Sequence, residues 1–194
     1  MKEILRGYFD IAGRLPLATE VTDGSGNAVE LGDAFEQTLA LISAANSAGN
    51  TLRLIGNGGS AGIASHMSVD FLKRGGMRAS ALNDASMLTC LGNDLGYEEV
   101  FAHQLSLHSR SGDVLFAISS SGQSPNILKG CEVAREGGAE VVTFSGFEAN
   151  NSLRGLGRLN FYVASLEYGF VELTHMALLS ALVDILIGWR PESV

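Results

Sequence analysis

The sequence has few cysteines and few basic residues. Its 194 residues include two cysteines and 13 lysines and arginines, and the formal net charge is −8. Two cysteines are too few for the disulfide framework of a small secreted domain, so we predict a cytoplasmic protein. Sequence-independent binding to nucleic acid depends on lysine and arginine neutralising phosphates, and an acidic chain argues against it. We therefore expect no direct nucleic-acid partner.

Long uninterrupted apolar runs are also absent. The first six residues (MKEILR) are charged and lack the apolar core of a signal peptide. The most apolar stretch, residues 176–189, is short and is interrupted by Ser180 and Asp184. This pattern predicts a buried core helix and no membrane partner. With 46% hydrophobic and 18% charged residues, the composition is that of a globular protein, and we predict one domain over residues 1–194.

The pattern of apolar residues changes near residue 50. Before it, we predict helices at 2–19 and at about 30–48, joined by a turn-rich link at 20–28. After it, short apolar runs alternate with helical stretches, which predicts a five-stranded parallel sheet covered by helices on both faces. The five strands are predicted at 51–55, 79–82, 114–118, 140–144 and 159–163, with a long final helix at 168–189.

Two loops rich in glycine or serine follow predicted strands. The glycine loop, Gly56–Gly62 (GNGGSAG), opens a helix, and the serine loop, Ser119–Ser124 (SSSGQS), precedes Pro125 at a second helix start. Glycine lets the backbone approach a ligand closely, and a helix N-terminus presents free N–H groups to an anion. We predict that both loops hold one phosphate group, since ligands bind at the carboxyl ends of parallel strands. A ligand-free turn and an ordinary capped helix remain the alternatives.

The glycine loop also satisfies a dinucleotide-binding fingerprint. Gly56, Gly58 and Ala61 have the required spacing, and Asp84 lies near the end of the next strand. This interpretation predicts a nicotinamide or flavin binder. It leaves the serine loop unexplained, and we rank it third.

Two pairs of polar residues have helical spacing. His66 and Asp70 lie four apart on the helix that follows the glycine loop, so they can hold a divalent metal, share a proton or form a surface ion pair. Glu172 and His175 lie three apart on the apolar final helix. They could supply a base or metal ligand, a buried structural pair or part of a subunit interface.

A polar interruption, Asn93 and Asp94, lies within the run CLGNDLGY (Cys90–Tyr97). It can present an amide and a carboxylate to sugar hydroxyls, or it can be a turn between two helices. His103 and His108 have the pattern of surface or interface histidines, and we assign them no role.

The runs GNGGS, CLGNDLGY and SSSGQS, in this order, resemble the SIS (sugar isomerase) domain and, within it, the phosphoheptose isomerase family. The resemblance covers essentially the whole chain. It implies a flavodoxin-like α/β fold with two leading helices, in which residues 1–49 serve oligomerisation and residues 50–194 form the sugar-phosphate-binding core. It also implies a homotetramer with active sites at subunit interfaces. The implied reaction converts sedoheptulose 7-phosphate to D-glycero-D-manno-heptose 7-phosphate through an enediol.

The resemblance also assigns residues, with three departures. His66 falls on a zinc-ligand histidine. Asp70 replaces a glutamate that serves as ligand and candidate base, Glu172 replaces a glutamine ligand, and Ser180 replaces a second histidine. The implied substrate contacts and phosphate-binding serines are Asn57, Gly58, Gly59, Ser60, Asn93, Asp94, Ser119, Ser120, Ser121 and Ser124.

The altered ligand set leaves two possibilities for zinc. Either His66, Asp70 and Glu172 form a three-ligand site, or the metal is lost. In both cases Asp70 or Glu172 is the predicted proton carrier between C1 and C2. No nucleotide cofactor is expected. A second hypothesis is a non-catalytic SIS module that senses a sugar phosphate or binds a protein, as does the related branch that binds the bacterial replication initiator.

Overall fold

Seven strands form one sheet in the computed structural model, which describes residues 1–193. The strands are β1 (Glu20–Asp23), β2 (Ala28–Val29), β3 (Leu52–Gly56), β4 (Ala79–Ala81), β5 (Val114–Ser119), β6 (Glu140–Ser145) and β7 (Leu159–Tyr162). The helices are α1 (Lys2–Arg14), α2 (Leu31–Ser47), α3 (Gly58–Lys73), α4 (Ala85–Asp94), α5 (Ala102–His108), α6 (Pro125–Glu136) and α7 (Tyr168–Leu186). Short 3₁₀ turns lie at Tyr97–Glu99, Ser152–Gly155 and Pro191–Ser193.

The parallel part of the sheet has the five predicted strands, in the order β4-β3-β5-β6-β7. All six residues of β5 are buried, because helices cover both faces. Alternate side chains enter two separate cores. Phe116 packs in the core formed with α2, α3 and α7, while Leu115 and Ala117 pack in the core formed with α5 and α6.

Residues 20–28, predicted as a link, form a β-hairpin instead. β1 pairs antiparallel with β7, and β2 pairs antiparallel with β1. The Asp23 carboxylate shapes the turn, since it accepts hydrogen bonds from the backbone N–H groups of Ser25 (2.8 Å) and Asn27 (2.9 Å). The prediction of five strands is therefore corrected to seven for the whole sheet.

Several predicted helix ends shift. The first helix ends at Arg14, ahead of Pro16, and the final helix ends at Leu186. The helix predicted near 97–108 divides into a 3₁₀ turn and α5. Although α7 has the length and hydropathy of a membrane span, its inner face is part of the core, as predicted for that stretch.

The strand order reverses beside β3, and this reversal positions the site. The chain passes from β3 outward to β4 and then returns to β5 on the other side of β3. Open α/β sheets bind ligands in the crevice at such a switch point. The glycine loop and the serine loop both begin at this crevice, where Gly56 is in register with Ile118.

Candidate functional site

The glycine loop is tied to the helix that follows the serine loop. Asn57 is the N-cap residue of α3, but its side chain makes no capping hydrogen bond. Instead, Asn57 and Asn126 exchange two amide hydrogen bonds of 2.9 and 3.0 Å, and the Tyr97 hydroxyl donates to Asn57 Oδ1 (3.2 Å). The first N–H groups of α3 are therefore left for an anion at the crevice.

The serine loop closes on itself around Gly122. The Gly122 N–H donates to the carbonyl oxygen (3.0 Å) and to Oγ (3.2 Å) of Ser119, and the hydroxyls of Ser119 and Ser124 lie 3.3 Å apart. Gly122 has a φ of +60°, and a Cβ there would overlap the side chain of Asn151. Only glycine fits this position, because both the backbone conformation and the space require it.

The two loops and the start of α7 enclose a cavity of 240 Å³. The Ser120 hydroxyl at this cavity is buried and has no hydrogen-bond partner among the described residues. The lining residues include no lysine or arginine, so a phosphate here would be held by hydroxyl and N–H groups. They are Asn57, Gly58, Gly59, Ser60, Ser119, Ser120, Ser121, Ser124, Tyr168 and Glu172.

The carboxylate of Glu172 lies against the glycine loop. A Cβ on Gly59 would overlap both carboxylate oxygens, so this close approach requires glycine. Glu172 is partly buried and is the one carboxylate among the residues that line the cavity. It is therefore positioned to exchange a proton with a ligand whose phosphate the two loops hold.

His175 does not line the cavity. Its ring is fully buried, and Nε2 lies 3.1 Å from the carbonyl oxygen of Ser145, to which it donates. Burial lowers the pKa of His175 to about 4, although the hydrogen bond to Ser145 opposes this shift. The imidazole is neutral at physiological pH and serves the core. Glu172 and His175 do not act as a pair.

His66 and Asp70 lie side by side on the outer part of α3. His66 Nε2 lies 3.6 Å from Asp70 Oδ2, and the His66 side chain is 60% exposed. Arg74 lies 3.7 Å from the same Asp70 oxygen and bonds Asp184 at 2.5 Å. Neither His66 nor Asp70 lines the cavity. A rise of 1.5 Å per residue places Asp70 about 18 Å along the helix from Gly58.

The helices α3 and α7 run side by side in the same direction. Glu172 contacts Gly59, and eight residues further along each helix the Ser180 hydroxyl donates to Met67 Sδ (3.8 Å). Ser180 is thus level with Met67, the residue that follows His66 in the sequence. It lies away from the phosphate-binding loops.

The predicted three-ligand zinc site does not fit the arrangement within one chain. Among residues 1–193, no three side chains of the His, Cys, Asp and Glu types are grouped to hold a metal ion. His66 and Asp70 pair with each other, whereas Glu172 lies at the cavity. Ser180, at the expected position of a second histidine, packs against Met67.

Asn93 and Asp94 lie outside the cavity. They were predicted as a polar break between two helices, but they are the last two residues of α4, and both are exposed. The Asn93 amide donates to Asp94 Oδ1 (2.8 Å). Their predicted role as substrate contacts has no support from the cavity lining of a single chain.

Asp84, the acidic residue of the dinucleotide fingerprint, serves as a helix cap. Its carboxylate accepts hydrogen bonds from the backbone N–H groups of Ser86 (3.0 Å) and Met87 (3.1 Å) at the start of α4. Both bonds go to Oδ1, so the role that the structure gives Asp84 is to cap α4. Asp84 also does not line the cavity of the two loops, which weakens the third hypothesis.

Sequence reasoning missed Tyr168. It is the first residue of α7, it lines the cavity, and its ring lies edge-on to Phe147 at 4.8 Å. The signal that could have found it is its position: a side chain at a helix start beside a switch point faces the crevice.

Comparison with known proteins agrees with this geometry. Residues 25–146 match the family model described as SIS domain. A phosphoheptose isomerase of Citrifermentans bemidjiense is 35% identical over 162 residues, which cover 80% of this chain and 84% of that protein. A phosphoheptose isomerase of Rhodospirillum rubrum is 40% identical over 127 residues, covering 61% and 68%. The structure of a phosphoheptose isomerase from Neisseria gonorrhoeae aligns with a TM-score of 0.82 at 26% identity, covering 95% of this chain and 98% of that one.

The fold and the two-loop cavity define the class of SIS domains, which confirms the predicted fold class. Within that class, the chain belongs to the phosphoheptose isomerase family. The alternatives, a non-catalytic regulatory module and a dinucleotide binder, are not favoured.

Proposed function

We propose that this protein is a phosphoheptose isomerase that converts sedoheptulose 7-phosphate to D-glycero-D-manno-heptose 7-phosphate. One observation carries the proposal: the loops after the adjacent strands β3 and β5 enclose a single cavity, and Glu172 is a carboxylate at its wall. Relatives named phosphoheptose isomerase supply the substrate class.

The two loops bind the phosphate group. The N-termini of α3 and α6 carry partial positive charge, and the Ser120 hydroxyl has no other partner among the described residues. A hydrogen bond to a charged group contributes about 1.5–3 kcal/mol. Several such bonds fix the position of the phosphate and with it the carbon chain of the sugar.

Glu172 carries the proton. As a carboxylate it removes a proton from C1 of the ketose, which gives an enediol once the oxygen at C2 is protonated. The resulting carboxylic acid exchanges its proton with solvent and then protonates C2, and loss of the proton on the C1 oxygen completes the aldose. A positioned acid–base group of this kind contributes about 10²–10⁴ in rate. Asp70 is the second candidate, and we rank it after Glu172 because it does not line the cavity.

Turnover of sedoheptulose 7-phosphate by the purified protein tests the proposal. Nuclear magnetic resonance can follow the appearance of the aldose for the wild type, Glu172→Gln and Asp70→Asn. We expect Glu172→Gln to lower kcat by about 10²–10⁴ and Asp70→Asn to have a much smaller effect. If Asp70→Asn abolishes turnover and Glu172→Gln does not, the base is Asp70. Absence of turnover by the wild type refutes the isomerase.

We further propose that His66 and Asp70 are two ligands of a zinc ion. An imidazole and a carboxylate are zinc donors, but a stable site has about four ligands. Such a site would need donors from another subunit. Metal content of the purified protein, with His66→Ala as the control, measures whether zinc is retained.

The proposal extends to a homo-oligomer, a tetramer with its active sites at subunit interfaces. No residue of α1 is buried, and its apolar side chains include Ile4 (70% exposed) and Phe9 (66% exposed). Assembly that buries such side chains is stabilised by about 25 cal/mol of free energy for each Å² of apolar surface removed from water. By contrast, α2 packs in the core through Ala34 and Ile42. Oligomerisation is therefore assigned to α1.

Light scattering after size exclusion tests the assembly. We expect a tetramer for the wild type and smaller, less active species for the double variant Ile4→Glu with Phe9→Glu, because charge on α1 opposes burial. A monomeric wild type contradicts this part of the proposal. We also propose a cytoplasmic location, in agreement with the free thiols of Cys90 and Cys131.

A further inference from the structure

A second polar cavity lies at the opposite edge of the sheet from the serine loop. Its volume is 270 Å³, and it lies where β3 and β5 begin. The five residues of β3 separate the two edges by about 17 Å at 3.3 Å per residue. The lining residues are Gly49, Asn50, Thr51, Arg53, Arg78, Leu107, His108, Arg110 and Asp113.

Positive charge dominates this cavity, although the whole chain is acidic. Three arginines, Arg53, Arg78 and Arg110, line it together with a single carboxylate, Asp113. None of these three arginines has a carboxylate oxygen within 4.0 Å among the residues that the structure describes; the ion pairs there involve other side chains. The cluster thus concentrates positive charge in a protein of net charge −8.

Asp113 can offset only one of the three positive charges, and its oxygens also bind the backbone. The carboxylate is buried, and it accepts hydrogen bonds from the N–H groups of Thr51 (2.8 Å) and Arg110 (3.0 Å). These bonds brace the segments that lead into β3 and β5. Asp113 thus stabilises the backbone and balances one arginine, and the excess positive charge of the other two remains to bind an anion.

Arg53 is held in place at the inner wall of the cavity. It donates from Nη1 to Ser80 Oγ (3.3 Å) and from Nη2 to the His108 carbonyl oxygen (3.5 Å). Burial lowers the pKa of Arg53, Asp113 raises it, and the neighbouring Arg110 and Arg78 lower it. Arg53 Nε is buried with no acceptor among the described residues. A bound anion would relieve this mutual repulsion of the arginines.

We infer that this arginine cavity binds a small, multiply charged phosphate anion at a site separate from the serine loop. Guanidinium groups match phosphate oxygens in geometry and charge, and they bind them in pairs of parallel hydrogen bonds. A volume of 270 Å³ has room for phosphate or diphosphate. The acidic charge of the remaining chain disfavours a nucleic acid as the source of the phosphate groups. The inference does not depend on the proposed isomerase activity.

Calorimetric titration of the full-length protein with diphosphate at physiological salt tests the inference. Arg78 and Arg110 are exposed, so the double variant Arg78→Gln with Arg110→Gln is expected to fold. We expect it to bind diphosphate at least tenfold more weakly than the wild type. The matched control is Arg135→Gln with Arg158→Gln, which removes the same charge from a third cavity, also lined by Gly138 and Glu140. This control should leave the affinity unchanged. Ser120→Ala should weaken binding only at the serine loop and should leave in place the binding that the Arg78/Arg110 variant loses.

Three results would overturn the inference. They are no binding of diphosphate to the wild type, an equal loss in the Arg135/Arg158 control, and a loss in Ser120→Ala that matches the loss in the Arg78/Arg110 variant. The second would indicate non-specific attraction, and the third would place the anion at the serine loop. Inorganic phosphate serves as the second probe. Weaker binding of inorganic phosphate by the Arg78/Arg110 variant supports the site. Unchanged affinity for inorganic phosphate counts against a site for single phosphate groups.

Discussion

Replacement of Gly59 by alanine should move the Glu172 carboxylate without lowering the stability of the fold. A Cβ at residue 59 would overlap both carboxylate oxygens of Glu172, which are the far end of a flexible side chain. The side chain of Glu172 can therefore turn away without a shift of the backbone. Gly59 lies in α3 and has no positive φ, so the helix itself accepts alanine.

The expected magnitudes differ for stability and activity. Alanine in a helix is favoured over glycine by about 0.5–1 kcal/mol, and about 1 kcal/mol corresponds to 2–4 °C in Tm for a chain of this size. We expect the Tm of Gly59→Ala to stay the same or to rise. Turnover of sedoheptulose 7-phosphate should fall by about 10² or more, because the displaced carboxylate loses its acid–base contribution.

Gly62→Ala is the matched control. Gly62 lies in the same helix, its φ is not positive, and a Cβ there meets no atom within 4 Å. This variant should keep full activity and gain similar stability. The assay is kcat by nuclear magnetic resonance beside thermal unfolding. Adding Gly59→Ala to Glu172→Gln should cause little further loss, since both act on one group. Full activity of Gly59→Ala would refute the placement of Glu172.

Three more predictions concern the serine loop and the core. Ser120→Ala should keep the free energy of unfolding within about 0.5 kcal/mol of the wild-type value, because Oγ has no partner among the described residues. It should weaken sugar-phosphate binding about tenfold in calorimetry. Unchanged affinity would exclude Ser120 from the phosphate site. Gly122→Ala should lower the free energy of unfolding in urea by about 1–2 kcal/mol, since φ is +60° and Asn151 must move; an undisturbed midpoint would show that the loop is less constrained than argued. His175 has a lower pKa folded (about 4) than unfolded (6.5), so its contribution to stability is complete above pH 6.5 and is lost as the pH falls through 4, at most about 3 kcal/mol. His175→Phe should flatten that acid limb in urea titrations, and an equal slope in both proteins would contradict it.

The sequence best predicts those segments whose backbone conformation only a few residue types adopt easily. Glycines and serines directly after apolar strands predict both loops, because such residues suit sharp turns and helix starts whatever the rest of the fold does. Strand alternation with helices then predicts the parallel sheet. Together these features locate the crevice between β3 and β5 before any coordinates are known.

Features that depend on tertiary contacts are harder to predict. The hairpin at β1 and β2 has only one buried residue, Val21, so it has no apolar run. The separation of Glu172 from the His66–Asp70 pair follows from how α7 packs beside α3, which helical spacing cannot reveal. Tyr168 reaches the cavity through the path of the chain into α7.

Conversion of sedoheptulose 7-phosphate in deuterated water tests the central claim most directly. If a carboxylate carries the proton through an enediol, solvent deuterium should appear at C2 of the aldose formed by the wild type. Glu172→Gln should reduce both conversion and incorporation together. Neither aldose nor deuterium at C2, with or without added zinc, would contradict the account.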